Sequence, residues 1–381
     1  MARGFLLAGI ETNQREAHME VLVTVASVSA ISTLLTVLII ISERFFNNYG
    51  TCRIDINDST KIIEVEGGTT LLSALAENKI FIPSACGGKA TCGLCKLRVL
   101  DGAGPLLPTE EPYLNPVERA ANVRLSCQVK VKGDLKISIP DEFFLVREYN
   151  TRIERITRMT HDILEFRFKL DKPIDFKAGQ YVQVKTKAYK KVPETVFRAY
   201  SISSSPSDRN AVELLVRLVP QGICTTYMHE HLKEGDEVEL TGPYGEFYPR
   251  PEAKGYVMIA GGSGLAPMRS IILDSFERGL DKEMWFFFGA VTGKDLYYVD
   301  YFKDLAKEHE NLHFIPALSA PRPEDGWTGE TGLITEVVAR TMPGITDLHG
   351  LLCGSPGMIN ACIGVLKKKG MTDDRIFFDK F

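Results

Sequence analysis

Ser84-Ala85-Cys86-Gly87-Gly88-Lys89-Ala90-Thr91-Cys92-Gly93-Leu94-Cys95 sets three cysteines in a Cys-x5-Cys-x2-Cys array, and a fourth, Cys127, stands further along the chain. Four thiolates hold a [2Fe–2S] cluster, and three close cysteines plus one remote cysteine is its sequence signature. Glycines between the ligands let backbone N–H groups approach the sulfurs and offset the cluster's negative charge. Structural zinc is the competing reading, but zinc usually takes two tight cysteine pairs rather than one pair and two singletons. The plant-type array has four residues in its first gap, so this one is a variant. The chain has eight cysteines in all. Close clustering of three of them reads as a metal site in a reducing compartment, not as a disulfide framework. Cys52, Cys224 and Cys362 have no partner at useful spacing and read as buried thiols.

The 381 residues suggest two or three domains, and 44% hydrophobic with 25% charged residues is the composition of a globular protein with ample core. A formal net charge of −4 argues against nucleic acid as a partner, because phosphate binding needs a basic field. Residues 21–41 break the soluble pattern, with no charged residue and no proline. At about 1.5 Å per residue they span roughly 30 Å, the thickness of a bilayer's hydrocarbon core. The run is too long for a secretory signal, and Ser42-Glu43-Arg44-Phe45-Phe46 is no small-residue cleavage site. A single transmembrane helix over 21–42 is expected, after an N-terminal tail, 1–20, in which Met19 is an alternative start. Arg3 and Arg15 precede the run and Arg44, Arg53 and Lys61 follow it, a faint push toward a cytoplasmic C-terminal side. Ser29, Thr33 and Thr36 form a small-residue stripe suited to docking beside partner helices, although such residues are also simply tolerated there.

Three folded blocks are expected after the anchor. The first, 50–142, opens with β-branched runs at 53–56 and 61–65, continues with a helical pattern of Leu71, Leu72 and Leu75, and closes with the run 135–139 before Pro140-Asp141. The second, 143–250, is a series of short strands divided by Gly and Pro, such as 181–185 and 212–219, which reads as an antiparallel barrel. In the third, 251–381, apolar runs at 256–260, 284–288, 313–317 and 350–353 alternate with helical stretches, the rhythm of a doubly wound α/β domain.

Each of the last two blocks carries a nucleotide motif. A flavin needs an aromatic face against its ring, a donor toward N5 and a cation for its pyrophosphate. Arg198-Ala199-Tyr200-Ser201 supplies all three on one strand, where alternation sends Arg198 and Tyr200 to one face and Ser201 to the other. Gly222-Ile223-Cys224-Thr225 precedes a helix expected over 226–232, so Gly222 and Thr225 form a pyrophosphate cradle at a helix N-terminus. Gly242-Pro243-Tyr244-Gly245 adds to the pattern. In the third block the run 256–260 enters Gly261-Gly262-Ser263-Gly264-Leu265-Ala266-Pro267-Met268, where Gly261, Gly262, Gly264 and Pro267 suit a dinucleotide turn. Cys353-Gly354-Ser355-Pro356 ends a later strand at the edge where open α/β sheets bind ligands. There the Cys353 thiol and Gly354 face the nicotinamide; a packed core cysteine is the alternative. After Gly289 only Lys294, beside Asp295, offers a cation for a 2′-phosphate, which favours NADH over NADPH. Phe381, the last residue, is expected to cover the flavin face, or else to plug the core.

Together these residues resemble the ferredoxin-NADP reductase superfamily and, within it, the F subunits of the sodium-translocating NADH:quinone reductases. The resemblance covers nearly the whole chain. It rests on the cysteine array with Cys127, on Arg198-Ala199-Tyr200-Ser201, on the glycine turn through Arg269-Ser270, and on Pro323-Glu324-Asp325-Gly326-Trp327-Thr328-Gly329. It implies a β-grasp ferredoxin domain with Cys86, Cys92, Cys95 and Cys127 as cluster ligands. It also implies FAD as the flavin, touched by Arg198, Tyr200, Ser201 and Thr225. The implied activity is that of an NADH:acceptor (quinone-type) oxidoreductase, with Cys353, Ser201 and Phe381 at the reacting centre. Electrons would pass from NADH through FAD and the cluster to membrane redox subunits. The implied place is a bacterial inner (plasma) membrane, with the anchor in lipid and the catalytic domains cytoplasmic. With no ionisable residue in 21–41, the chain offers no ion pathway of its own. A reductase feeding an oxygenase would share the module order, although an anchor is unusual there. A non-catalytic iron–sulfur protein would not keep both nucleotide motifs intact. Two departures from the F subunits stand out: short connections between Gln180 and Arg198 and between Val219 and Gly222, and an end at Phe381 without the usual glycines. They leave the redox modules intact and alter the docking surfaces.

Overall fold

The computed structural model describes residues 24–40, 42, 49–84, 86–189, 192–193, 195–345 and 347–380. The tail 1–20, part of the expected anchor and Phe381 lie outside the described residues. Residues 24–40 form a helix, α1, whose large apolar side chains are exposed, Leu34 at 61% and Ile39 at 60%. The hydroxyls of Thr33 and Thr36 donate to the carbonyls of Ser29 and Ser32, so α1 satisfies its own polar groups. Among the described residues, no helix is long and apolar enough to cross a membrane.

The ferredoxin-like block is a five-stranded mixed sheet in the order β2-β1-β5-β3-β4. Its strands are β1 (Thr51–Ile56), β2 (Lys61–Glu66), β3 (Lys96–Asp101), β4 (Val123–Leu125) and β5 (Leu135–Ser138). Alternation drives β1: Cys52, Ile54 and Ile56 point inward while their neighbours face water. β1 pairs antiparallel with β2 and parallel with β5. Helix α2 (Leu71–Glu77) starts where the Thr70 hydroxyl accepts the Ser73 N–H, and buries Leu71, Ala74 and Leu75 against the sheet. The short helix α3 (Pro116–Ala120) carries a capping box from Asn115 and Glu118.

The second block is a six-stranded antiparallel sheet in the order β10-β7-β6-β11-β8-β9. Its strands are β6 (Arg147–Arg158), β7 (Ile163–Leu170), β8 (Tyr181–Lys185), β9 (Phe197–Ser201), β10 (Ala211–Arg217) and β11 (Glu237–Tyr244). Ile202, just past β9, bridges Leu214 of β10, which brings the sheet's two edges together as the barrel reading requires. The second strand expected over 212–219 ends at Arg217. Helix α4 (Ile223–His231) begins three residues earlier than expected, because Gly222 is its N-cap and Thr225 lies inside the first turn.

The third block is a parallel sheet in the order β15-β14-β13-β12-β16-β17. Its elements are β12 (Gly255–Gly261), α5 (Leu265–Glu277), β13 (Glu283–Ala290), α6 (Val299–Glu308), β14 (Leu312–Leu318), β15 (Glu330–Thr331), α7 (Ile334–Thr341), β16 (Leu348–Gly354), α8 (Pro356–Lys368) and β17 (Ile376–Lys380). Apolar clusters cover both faces, as a parallel sheet demands. The strand order reverses at β12, which lies between β13 and β16, so the switch point opens at their carboxyl ends. The closing strand β17 was not expected from the sequence. One apolar cluster joins Ile163, Leu215 and Phe247 of the barrel to Ala260, Leu265 and Ile271 of the nucleotide block, so the two share a core.

A buried ion pair braces the cluster-bearing block. Glu110, fully buried, accepts from Arg124 at 2.6 Å and from the N–H groups of Leu107 and Leu125 at 3.0 and 2.9 Å. Burial pushes this carboxyl up, but the Arg124 guanidinium and the two N–H groups outweigh it and hold it below the usual glutamate range. Glu110→Ala would leave Arg124 buried and unpaired, so a loss of about 3–5 kcal/mol is expected in denaturant unfolding of this block. Because the folded carboxyl titrates low, the pair's contribution is present above the ordinary glutamate range and is lost as pH falls through the depressed value.

Candidate electron-transfer site

The loop between α2 and β3 carries Cys86, Cys92 and Cys95, Cys127 follows β4, and the four sulfurs stand in two pairs. Cys86 Sγ lies 3.4 Å from Cys92 Sγ, and the Cys95 thiol donates to Cys127. Backbone N–H groups surround them: Lys89 and Thr91 point at Cys86, Ala90 at Cys127 and Leu94 at Cys92. The loop reaches this shape through left-handed backbone at Gly87, Gly88, Ala90 and Gly93. The consequences are electrostatic. The hydrogen bond from Cys95 brings Cys127 down to about 6 against its burial. Burial raises Cys86, but the Thr91 and Lys89 N–H groups and the Cys92 thiol bring it to about 7. Among the described residues, no three potential ligands gather around a single point as one ion would need. Four thiols paired two by two in a basket of N–H donors fit a [2Fe–2S] cluster, which takes four thiolates and carries negative charge.

The cluster loop rests directly on the flavin strand. Gln183 Nε2 of β8 donates to the Ser84 carbonyl at 3.2 Å, and a methyl group added at Gly87 would sit 3.4 Å from Arg198 Nη1 of β9. In the β8–β9 ladder Arg198 stands opposite Val184, Tyr200 opposite Val182 and Ser201 opposite Tyr181, so Arg198 and Tyr200 share a face as expected. The Tyr200 hydroxyl donates to Cys224 in the first turn of α4, and burial pushes the phenol well up. Cys224, read from sequence as a bystander, therefore anchors the flavin-strand tyrosine to the helix. The Thr225 hydroxyl is engaged in the preceding turn, accepting the Val219 N–H at 3.2 Å and lying 3.3 Å from the Gly222 carbonyl. It shapes the turn that aims the amino end of α4, where free N–H groups can take a pyrophosphate.

The nucleotide turn and the Cys353 turn meet backbone to backbone. Ala260 stands opposite Cys353 in the β12–β16 ladder. A side chain at Gly264 would run into the Cys353 carbonyl at 2.2 Å, so glycine is obligatory there. Gly261 and Gly354 touch across the same junction, and Gly262 holds a left-handed φ of 57°. Pro267 lies buried in the first turn of α5, where a missing N–H costs no hydrogen bond, and it shapes the helix start. Cys353 is fully buried, and burial pushes its thiol well up, so it sits there as a neutral group.

Two residues that the sequence reading passed over tie these parts together. Asp379 of β17 stands opposite Cys353, and burial pushes its carboxyl up to about 6. Its charge is felt by Tyr181, which also feels Cys92 of the cluster loop and stacks on Tyr244 at 5.4 Å. Tyr181 thus marks the place where the cysteine loop, the flavin strand and the nicotinamide edge approach one another. An acid alone in the apolar run Ile376-Phe377-Phe378-Asp379 was the available signal for Asp379.

Three family models match in chain order. They are a 2Fe-2S iron-sulfur cluster binding domain over residues 54–132, an oxidoreductase FAD-binding domain over 150–248 and an oxidoreductase NAD-binding domain over 258–363. Fold and site together define an iron–sulfur flavoprotein oxidoreductase of ferredoxin-reductase architecture, built for a [2Fe–2S] cluster, FAD and NADH. The crystal structure of Amycolatopsis cytochrome P450 reductase GcoB is similar, with a TM-score of 0.71 at 29% identity over 87% of this chain and 99% of that one. The ferredoxin reductase in carbazole 1,9a-dioxygenase aligns with a TM-score of 0.66 at 27% identity, over 87% and 98%. The F subunit of the Na(+)-translocating NADH-quinone reductase of Serratia proteamaculans (strain 568) is 33% identical over 406 positions, covering 95% of this chain and all of the relative. Its counterpart in Histophilus somni (strain 129Pt) is 35% identical with the same coverage. The chain belongs to the family of Na(+)-translocating NADH-quinone reductase F subunits.

If the cysteines bind as paired here, Cys92→Ser and Cys127→Ser should each remove bound iron and the cluster's visible absorbance while flavin content stays near that of the parent. Iron analysis beside flavin analysis on the same preparations checks this. Retention of full iron in either variant would rule out that ligand.

Proposed function

We propose that this chain oxidises NADH at Cys353 and the β12 turn, and passes electrons through FAD on β9 and α4 to a [2Fe–2S] cluster on Cys86, Cys92, Cys95 and Cys127, and onward to a membrane redox partner. The observation that carries this reading is the closeness of the cluster loop to the β8–β9 hairpin, with Gln183 bonded to the Ser84 carbonyl and room for no more than a methyl group between Gly87 and Arg198. Bound FAD would take a hydride as two electrons and release them one at a time. Arg198 and the amino end of α4 supply positive charge for its pyrophosphate, Tyr200 an aromatic face, and Ser201 a donor on the opposite side. Neutral Cys353 closes the far side of the nicotinamide position without competing for a proton. Leu94, between two cluster cysteines and 44% exposed, marks the edge from which electrons leave.

Residues 21–42 serve in this reading as a single membrane anchor that keeps the cluster near an acceptor in the bilayer, with the folded domains on the cytoplasmic side of a bacterial inner membrane. The exposed apolar surface of α1 supports it. Coverage supports it too: the F-subunit relatives match 95% of the chain, a share that must reach into the apolar segment, whereas the reductase structures match 87%. A reductase component feeding an oxygenase is the second reading, favoured by the P450 and dioxygenase reductases among the structural neighbours. Removing residues 20–48 should release the protein from membranes to the soluble fraction with NADH:ferricyanide activity retained. A protein that washes off membranes with its N-terminal segment intact would favour the second reading.

Asp379 gives the proposal a pH signature. Ionised, its carboxylate places negative charge where nicotinamide becomes positive as it gives up hydride. Flavin reduction by NADH should therefore rise as pH increases through about 6 in the parent and lose that step in Asp379→Asn. The folded carboxyl titrates above the unfolded one, so the folded state holds the extra proton between them and stability falls as pH rises across that window. Asp379→Asn should consequently be at least as stable as the parent at about pH 8. Identical pH–rate profiles in the two proteins would remove Asp379 from the chemistry.

A further inference from the structure

We propose that the consecutive tyrosines Tyr297 and Tyr298 are positioning residues, a clasp that locks the nucleotide turn to the flavin barrel and thereby sets the geometry of hydride transfer. The proposal rests on the NADH-to-flavin reading above. The pair lies between β13 and α6, and Tyr298, the N-cap of α6, has a left-handed φ of 59°. A bulky residue is rarely found there, so the surrounding contacts must hold it in place. The two hydroxyls go to different domains. Tyr297 donates to the Gly262 carbonyl at 2.8 Å, within the turn that receives the dinucleotide. Tyr298 donates to Glu165 on β7 of the barrel.

Glu165 belongs to a closed circuit of charge whose two carboxylates are buried while Arg155 stands half exposed at its rim. Arg155 reaches it at 3.3 Å and reaches Glu213 of β10 at 3.1 Å. Glu213 in turn accepts from Arg269 of α5 at 2.8 Å. Arg269 also donates to the Ser203 carbonyl at 3.0 Å, two residues beyond the flavin strand, and its guanidinium lies over the Tyr298 ring at 5.1 Å. The circuit therefore starts and ends at Tyr298 and crosses the domain boundary twice. Ion pairs taken out of water add little net stability compared with apolar packing, but their directional bonds favour one register over its neighbours. The boundary already has a shared apolar core to hold it together. What the circuit adds is a fixed angle between the turn that holds the nicotinamide nucleotide and the strand that holds the flavin. Hydride transfer requires that angle, because donor and acceptor must meet at near-contact distance.

The test uses the full chain loaded with flavin and cluster. Tyr298→Phe keeps the ring and removes one donor. Flavin reduction by NADH in a single turnover should slow between about tenfold and a hundredfold. The long-wavelength charge-transfer absorbance between nicotinamide and flavin should weaken. NADH affinity, flavin content and the thermal midpoint should stay near the parent's. Glu165→Gln, which keeps an acceptor for the hydroxyl, should retain most of the rate. A parent-like rate and absorbance in Tyr298→Phe overturns the proposal. So does a rate loss that merely follows lost flavin or lost folding, which would make the contact a structural one, and so does an equal rate loss in Glu165→Gln. A parent protein whose flavin NADH fails to bleach would instead refute the functional reading on which the clasp depends.

Discussion

Gly87 against Arg198 is the contact on which the working arrangement depends. An electron crosses protein only over a short gap, so a ferredoxin block that merely hung from the barrel on a linker would deliver electrons unevenly. Here the cysteine loop lies on the flavin strand, with the Gln183 side chain holding the Ser84 carbonyl. The same loop must curl around its sulfurs and lie flat against β9. Both demands fall on a few residues with left-handed backbone, which is why the segment is dense in glycine.

At the other side of the flavin strand a different physics operates. The barrel and the nucleotide block share one apolar core, and burial of that surface supplies their cohesion. Cohesion alone does not set orientation, since apolar faces slide and repack at small cost. Glu165, Glu213 and Arg269 take charge out of water at this boundary, an arrangement better suited to defining one orientation than to adding stability. Asp379, opposite Cys353 on β17, is a further carboxyl that burial pushes up, to about 6. The molecule thus accepts electrostatic cost at this junction, as it does at the Glu110–Arg124 pair inside the ferredoxin-like block.

Comparison with relatives separates the shared machine from its surroundings. The alignment with the F subunits runs over 406 positions although this chain contributes 95% of its 381 residues, so the relatives carry segments that it lacks. The β8–β9 connection, which the sequence reading marks as short, leads directly into Phe197 and Arg198 beside Gly87 of the cluster loop.

Motifs whose chemistry is local could be read directly from the chain. The cysteine array, the Arg198–Ser201 strand, the glycine turn after β12 and the three-block order each follow from residue type and spacing within a short window, and the structure places them as expected. Helix α4 starts three residues before the expected 226 because Gly222, a weak N-cap by residue type, caps it directly. β17 was missed because an edge strand of five residues gives too short a pattern to recognise. Tyr181, Cys224 and the Tyr298–Glu165 link carried no readable meaning in sequence, since each acts through a partner distant along the chain. Local chemistry and hydrophobic period thus fixed what the domains are and which groups they carry. Only tertiary packing, by deciding which distant side chains meet at the domain boundaries, determined how the three sites face one another.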